Sequence, residues 1–139
     1  SATQNLMEDY SSLGLTLGPH PMALLRSHPE LKGYKRYIDL KSLNHKRFVR
    51  IAGLVTGRQR PGTATGVLFM TLEDETGNHN VVVWRDLVER FRAQVLHSKL
   101  LKIKGILERD DNVIHVIAGE IIDASHLLGE LATHSRDFH

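Results

Sequence analysis

Two rhythms divide the chain. From Phe48 onward apolar and polar residues alternate, the period-two signature of strands with one buried face; before Phe48 they do not. The alternation predicts strands at Phe48–Val55, Val67–Leu72, Asn80–Trp84, Lys99–Leu107 and Val113–Ile122, rich in β-branched and aromatic residues. Between the third and fourth, Arg85–Leu96 switches to helical spacing, with Leu87, Val88, Phe91 and Val95 on one side. Thr56–Gly66 reads as a loop because Gly57, Pro61, Gly62 and Gly66 interrupt it, Asp74–Gly77 as a turn, and Arg109–Asn112 as a hairpin turn. Upstream, Gln4–Leu13 has helical character, and Gly14–Pro21 breaks it. Pro21 is placed to open a short helix through Met22, Leu24 and Leu25. Pro29 and Gly33 punctuate the segment again, and one helical turn is expected near Ser125–Leu131.

Three strands, a helix, then two strands is the element order of an OB fold, a mainly β, five-stranded Greek-key barrel with its helix between strands three and four. Closing the barrel protects strands this short by removing their edges. An SH3-like barrel has as many strands but no place for a twelve-residue helix at that point. The expected organisation is a helical lead-in over residues 1–47, the barrel over 48–123 and a C-terminal tail over 124–139.

Strand parity assigns the faces. Leu68, Met70 and Leu72 point into the barrel, as do Val49, Ile51 and Val55. Phe69 then points outward on strand two, where OB folds bind oligonucleotides and aromatic rings stack on bases. Burial under the N-terminal helices is the alternative for Phe69. Trp84 shares the parity of Asn80 and Val82, but its place at the strand end, just before the helix, points to packing. Arg50 faces outward from strand one, Lys102 and Lys104 from strand four. Arg58 and Arg60 fall in the first loop and Arg109 in the last. Together these cations are expected to contact phosphates.

Charge distribution supports that reading more than its total does. The formal net charge is only +2, yet no acidic residue lies between Asp39 and Glu73, or from Arg90 to Leu107. Positive charge set apart in this way is the footprint of a polyanionic partner. The nine histidines match no zinc-ligand spacing, and no cysteine is present. Neither a structural nor a catalytic metal is therefore expected. Glu73, Asp74 and Glu75 sit in a turn, where solvated acids are common. No phosphate-binding loop or nucleophile motif occurs, so no catalytic residue and no cofactor are assigned. No apolar run nears the ~20 residues of a membrane span and no leader opens the chain, so a cytoplasmic location is expected, with no membrane or small-molecule partner.

The run from Phe48 through Gly53, Gly57 and Arg60 to Gly66 resembles the OB domain of bacterial C-family DNA polymerases. So do Phe69–Gly77 and the following Asn80–Trp84. Glu8–Tyr10, Gly14–Met22 and the closing Ser135–His139 are similar to the error-prone branch, often called ImuC. The replicative relatives continue into a further domain, and an end soon after the barrel favours the error-prone type. The resemblance covers nearly the whole chain. It implies a parent DNA-directed polymerase of damage tolerance whose catalytic carboxylates lie upstream. This segment would be its single-stranded-DNA-binding module, working beside other mutasome proteins. Docking of such a protein is the competing role, since OB barrels serve both.

Overall fold

The computed structural model describes residues 18–60 and 65–137, with side chains to residue 132. The helix expected at Gln4–Leu13 lies outside the described residues. Five strands, β1 (Phe48–Gln59), β2 (Leu68–Glu73), β3 (Asn78–Val83), β4 (Leu100–Asp110) and β5 (Val113–Asp123), close into one barrel in the order β1-β2-β3-β5-β4. Every pairing is antiparallel except β3 with β5. Closure depends on β1 serving both sides. Its first half, Phe48–Leu54, pairs with β4, and Leu54–Gln59 pairs with β2 across a bulge between Val55 and Gly57. The bulge bends the strand, which a straight ladder would not allow.

The parity read from sequence holds. Val49, Ile51, Leu68, Met70, Leu72, Val81, Val83, Leu101, Ile103 and Val116 fill the barrel and are buried, with Val55 packed at the margin. Full burial of each such side chain contributes about 1.5–3 kcal/mol. Gly105 on β4 is fixed by crowding, because a Cβ there would collide with the carbonyl of Ile117 on β5.

Several boundaries differ from the sequence reading; β3 runs from Asn78 to Val83, which puts Trp84 just beyond the strand. β1 runs on to Gln59, so Arg58 lies in a strand rather than in the loop. β4 likewise extends to Asp110, and the turn tightens to Asp111 and Asn112, with Asp111 at φ 53°; Arg109 is therefore a strand residue. Alternation fades at both ends because the outer residues there are polar, while ladder hydrogen bonding continues. The helix after β3 is two short helices, α3 (Arg85–Arg90) and α4 (Arg92–His97), separated at Phe91 with φ −111° and ψ 37°. The break lets Val88 and Val95, both buried, cover the end of the barrel.

The lead-in and the tail form a second core outside the barrel. In the lead-in, α1 (Pro21–Leu25), a 3₁₀ turn at Pro29–Leu31 and α2 (Tyr37–Leu40) follow one another. In the tail, α5 (His126–Asp137) is longer than the single turn expected. Met22, Leu25 and Leu31 meet Leu127 and Leu128 over Ala52, Leu54 and Leu100. The acidic turn holds the lead-in to the barrel. Glu73 bonds His20 at 2.9 Å, and Glu75 holds Arg26 through both oxygens at 2.6 and 2.9 Å. Between them Asp74, only 2% exposed, accepts from the amides of Tyr37, Thr76 and Gly77, from the Thr76 hydroxyl and from His79 Nε2. The expectation of solvated acids is thus corrected: this turn is a clasp. No helix among the described residues is long and apolar enough to cross a membrane.

Candidate nucleic-acid interface

β2 and β3 present an outer face built by direct cross-strand pairs: Phe69 opposite Val82, and Thr71 opposite Asn80. Asn80 in turn pairs with His115 on β5, and Phe69 with Gln59 on β1. Phe69 is 42% exposed, and the described part of the lead-in packs elsewhere, over Ala52, Leu54 and Leu100. Trp84, two residues beyond Val82 with the same parity, is 54% exposed. The packing role expected for it is corrected. The helix that follows turns its apolar side, Val88 and Val95, to the barrel and leaves the indole outside. An exposed ring on β2 and a second just past the end of β3 offer flat apolar surface suited to stacked ligands. Strand parity already carried this signal, since Trp84 alternates with Val82 and Asn80.

The seven residues singled out by sequence are distributed over four places. Phe69 lies on this face, and the exposed Arg60 follows Gln59, the β1 partner of Phe69. Arg85, on the far side of Gly66, lies against that glycine, whose φ of 74° a side chain would strain. Its guanidinium is 3.7 Å from Glu89, an exposed pair worth little in solution.

Arg58 and Arg109 have their guanidiniums bound to backbone. Arg58 donates to the carbonyls of Val95 and Ser98 at 2.6 and 2.5 Å. It caps the C-terminus of α4, where orphan carbonyls and the helix dipole attract a cation. Burial there pulls its pKa down. Arg109 Nη2 donates to the carbonyls of Leu40, Lys41 and Leu43 and closes the C-terminus of α2.

Arg50, Lys102 and Lys104 belong to the outer side of β4 and of the half of β1 that pairs with it, away from the half of β1 that pairs with β2. Arg50 and Lys102 sit over the Tyr34 ring at 5.7 and 5.0 Å, two cation–π contacts that seat the lead-in. Lys104 pairs with Glu120 at 3.4 Å.

For metal chemistry, one group among the described residues brings three ligand atoms within 4.8 Å of one another: His28, Glu30 and Glu130. Glu30 already bonds His126 at 2.8 Å and His28 faces Glu130 at 3.4 Å, so the group reads as ion pairs joining the lead-in to α5.

A closed five-stranded barrel with exposed aromatics on β2–β3 and arginines beside them defines a nucleic-acid-binding class of module. The chain belongs to the family described as OB-fold nucleic acid binding domain, whose model matches residues 49–124. Over its full length it is 53% identical to the error-prone DNA polymerases of Saccharophagus degradans and of Pseudomonas fluorescens, and it spans only 14% of the length of each. Among solved structures, it is similar to asparaginyl-tRNA synthetase from Pyrococcus horikoshii, with a TM-score of 0.55 and 23% identity over 66% of this chain and 22% of that one. Aspartyl tRNA synthetase from Entamoeba histolytica gives 0.52 and 14% over 63% and 20%. At those identities the likeness is one of fold.

Proposed function

We propose that this chain is the single-stranded-DNA-binding module of an error-prone, translesion DNA polymerase of the bacterial cytoplasm, and that it holds template strand for catalytic domains elsewhere in the protein. The observation that carries this reading is the pair of exposed rings, Phe69 on β2 and Trp84 immediately after β3, both of outward strand parity. Bases stack on such rings without regard to sequence, at about 1–3 kcal/mol each, as a template holder requires. Thr71, Asn80 and His115 add hydrogen-bonding groups for base edges to the same face. Arg60 and Arg85 supply phosphate contacts beside them, and the fixed arginines Arg58 and Arg109 hold the flanking helices. The relatives' name supports the polymerase and DNA-repair context. This chain itself contributes binding, and the polymerase supplies the chemistry.

The test is a titration of a fluorescein-labelled oligo(dT) at two salt concentrations. Binding that weakens steeply with salt, and that a duplex of equal length does not match, supports the proposal. Absence of DNA binding, with salt-insensitive binding to a purified mutasome protein, establishes the interaction-module role in its place.

A further inference from the structure

Phe69 begins a longer feature. Its partner Val82 pairs with Ile117 on β5, Ile117 with Ile106 on β4, and Ile106 with Phe48 on β1. Five apolar residues at one level therefore link Phe69 to Phe48 around the barrel; Phe69, Ile106 and Phe48 are exposed, Ile117 is half-buried and Val82, 8% exposed, lies deeper between its neighbours. The steps are about 4.8 Å each, about 19 Å in all. Outward apolar residues are ordinary singly, whereas a contiguous band marks a contact surface. Beyond Ile117 the band sinks into an open trough lined by Phe48, Ile106, Ile117, Gly119 and Lys104. Its cause is a bulge. Lys104 pairs with Glu120 but Gly105 with Ala118, so Gly119 is left over and carries no side chain to fill the space. Phe48 at the far wall is 58% exposed and Ile106 is 37% exposed.

Cations mark both ends of the band. Arg60 and Arg85 stand near Phe69, while Lys46, Arg47 and Lys104 stand near Phe48. The acids among them, Glu89, Glu108 and Glu120, each sit 3.4–3.7 Å from one of these cations in solvent-exposed pairs that a phosphate can displace. An apolar track with cationic ends suits an occupant with apolar faces and a polyanionic backbone. A protein segment would need only the first.

We infer that one DNA single strand follows the whole band, leaving the β2–β3 face over Ile117 and ending in the trough, where Phe48 stacks a second set of bases. This rests on the proposed function and extends the footprint beyond the face that the rings define. It is tested on the 139-residue chain with oligo(dT) of about 2 and about 12 nucleotides, the shorter too small to reach both rings. Phe48→Ala is expected to weaken the longer oligonucleotide about 5- to 100-fold and to leave the shorter one unchanged, while Phe69→Ala weakens both. If Phe69→Ala weakens binding and Phe48→Ala changes neither length, or both equally, the extended track is wrong and the proposed function stands. If neither variant changes binding at either length, the proposed function fails with it. Ile106→Glu, which sets a carboxylate in the trough, is the second variant and gives the same length-dependent loss. It decides the matter should Phe48→Ala not fold.

Discussion

Replacing Asp74 with Asn changes one atom and disables the clasp between the lead-in and the barrel. Asp74 Oδ1 accepts from the Thr76 amide and hydroxyl and the Gly77 amide at 2.7–3.0 Å. Oδ2 accepts from the Tyr37 amide at 2.7 Å and from His79 Nε2 at 2.9 Å. An Asn amide has one acceptor oxygen. If it keeps the Thr76 side, its NH₂ group faces the Tyr37 amide and His79 Nε2, donor against donor. Two orphaned donors at about 1–3 kcal/mol each give a loss of about 2–6 kcal/mol, a large share of the roughly 5–15 kcal/mol by which domains are stable. For a chain of this size the melting temperature should fall by about 10 °C. Acid should narrow the difference. Burial alone would raise the Asp74 pKa, but the hydrogen bonds from His79, Thr76 and Tyr37 outweigh it and hold the carboxyl well below the usual range. Its stabilisation is therefore complete above the unfolded value of about 3.9 and is lost as pH falls toward the folded value. Urea unfolding of both proteins at pH 7 and pH 3 measures this. A variant within about 0.5 kcal/mol of the parent at pH 7, or a gap no smaller at pH 3, refutes the clasp.

Other substitutions separate structure from binding. Arg58→Ala leaves the carbonyls of Val95 and Ser98 without a donor and should cost about 1–2 kcal/mol of stability, read by urea unfolding, with the salt slope of DNA binding unchanged. Arg60→Ala should do the reverse, leaving stability alone and lowering the salt slope by about 0.7 in a titration at several salt concentrations. Phe69→Ala should weaken single-strand binding by about 1–3 kcal/mol with little change in that slope, measured by anisotropy.

Period-two alternation made the barrel legible, because burial of one face leaves its mark at every second residue: Leu68, Met70 and Leu72 inside, Phe69 and Thr71 outside. The bent helix was not legible, since Leu87 to Val95 keep helical spacing through the break at Phe91. Nor were the roles of the arginines. Sequence places Arg58 and Arg109 near strand ends, but only the fold brings the carbonyls of α4 and α2 within reach of their guanidiniums. The acidic turn was opaque for the same reason. Glu73 and Glu75 find partners 49 and more residues away at His20 and Arg26, and Asp74 binds the Tyr37 amide 37 residues away as well as His79 nearby. Trp84 was legible in part: its parity pointed outward, and the helix after it suggested packing that did not follow.

Trp84 is the only tryptophan in the chain and stands on the proposed contact surface, so its own fluorescence reports the central claim. The measurement is a titration of the unlabelled protein with oligo(dT) at low and high salt. The account predicts saturable quenching of Trp84 that weakens as salt rises, and quenching whose half-point moves to higher DNA concentration in Phe69→Ala. Emission unchanged at DNA concentrations that saturate a labelled oligonucleotide would contradict it, because the strand would then be bound away from the β2–β3 face.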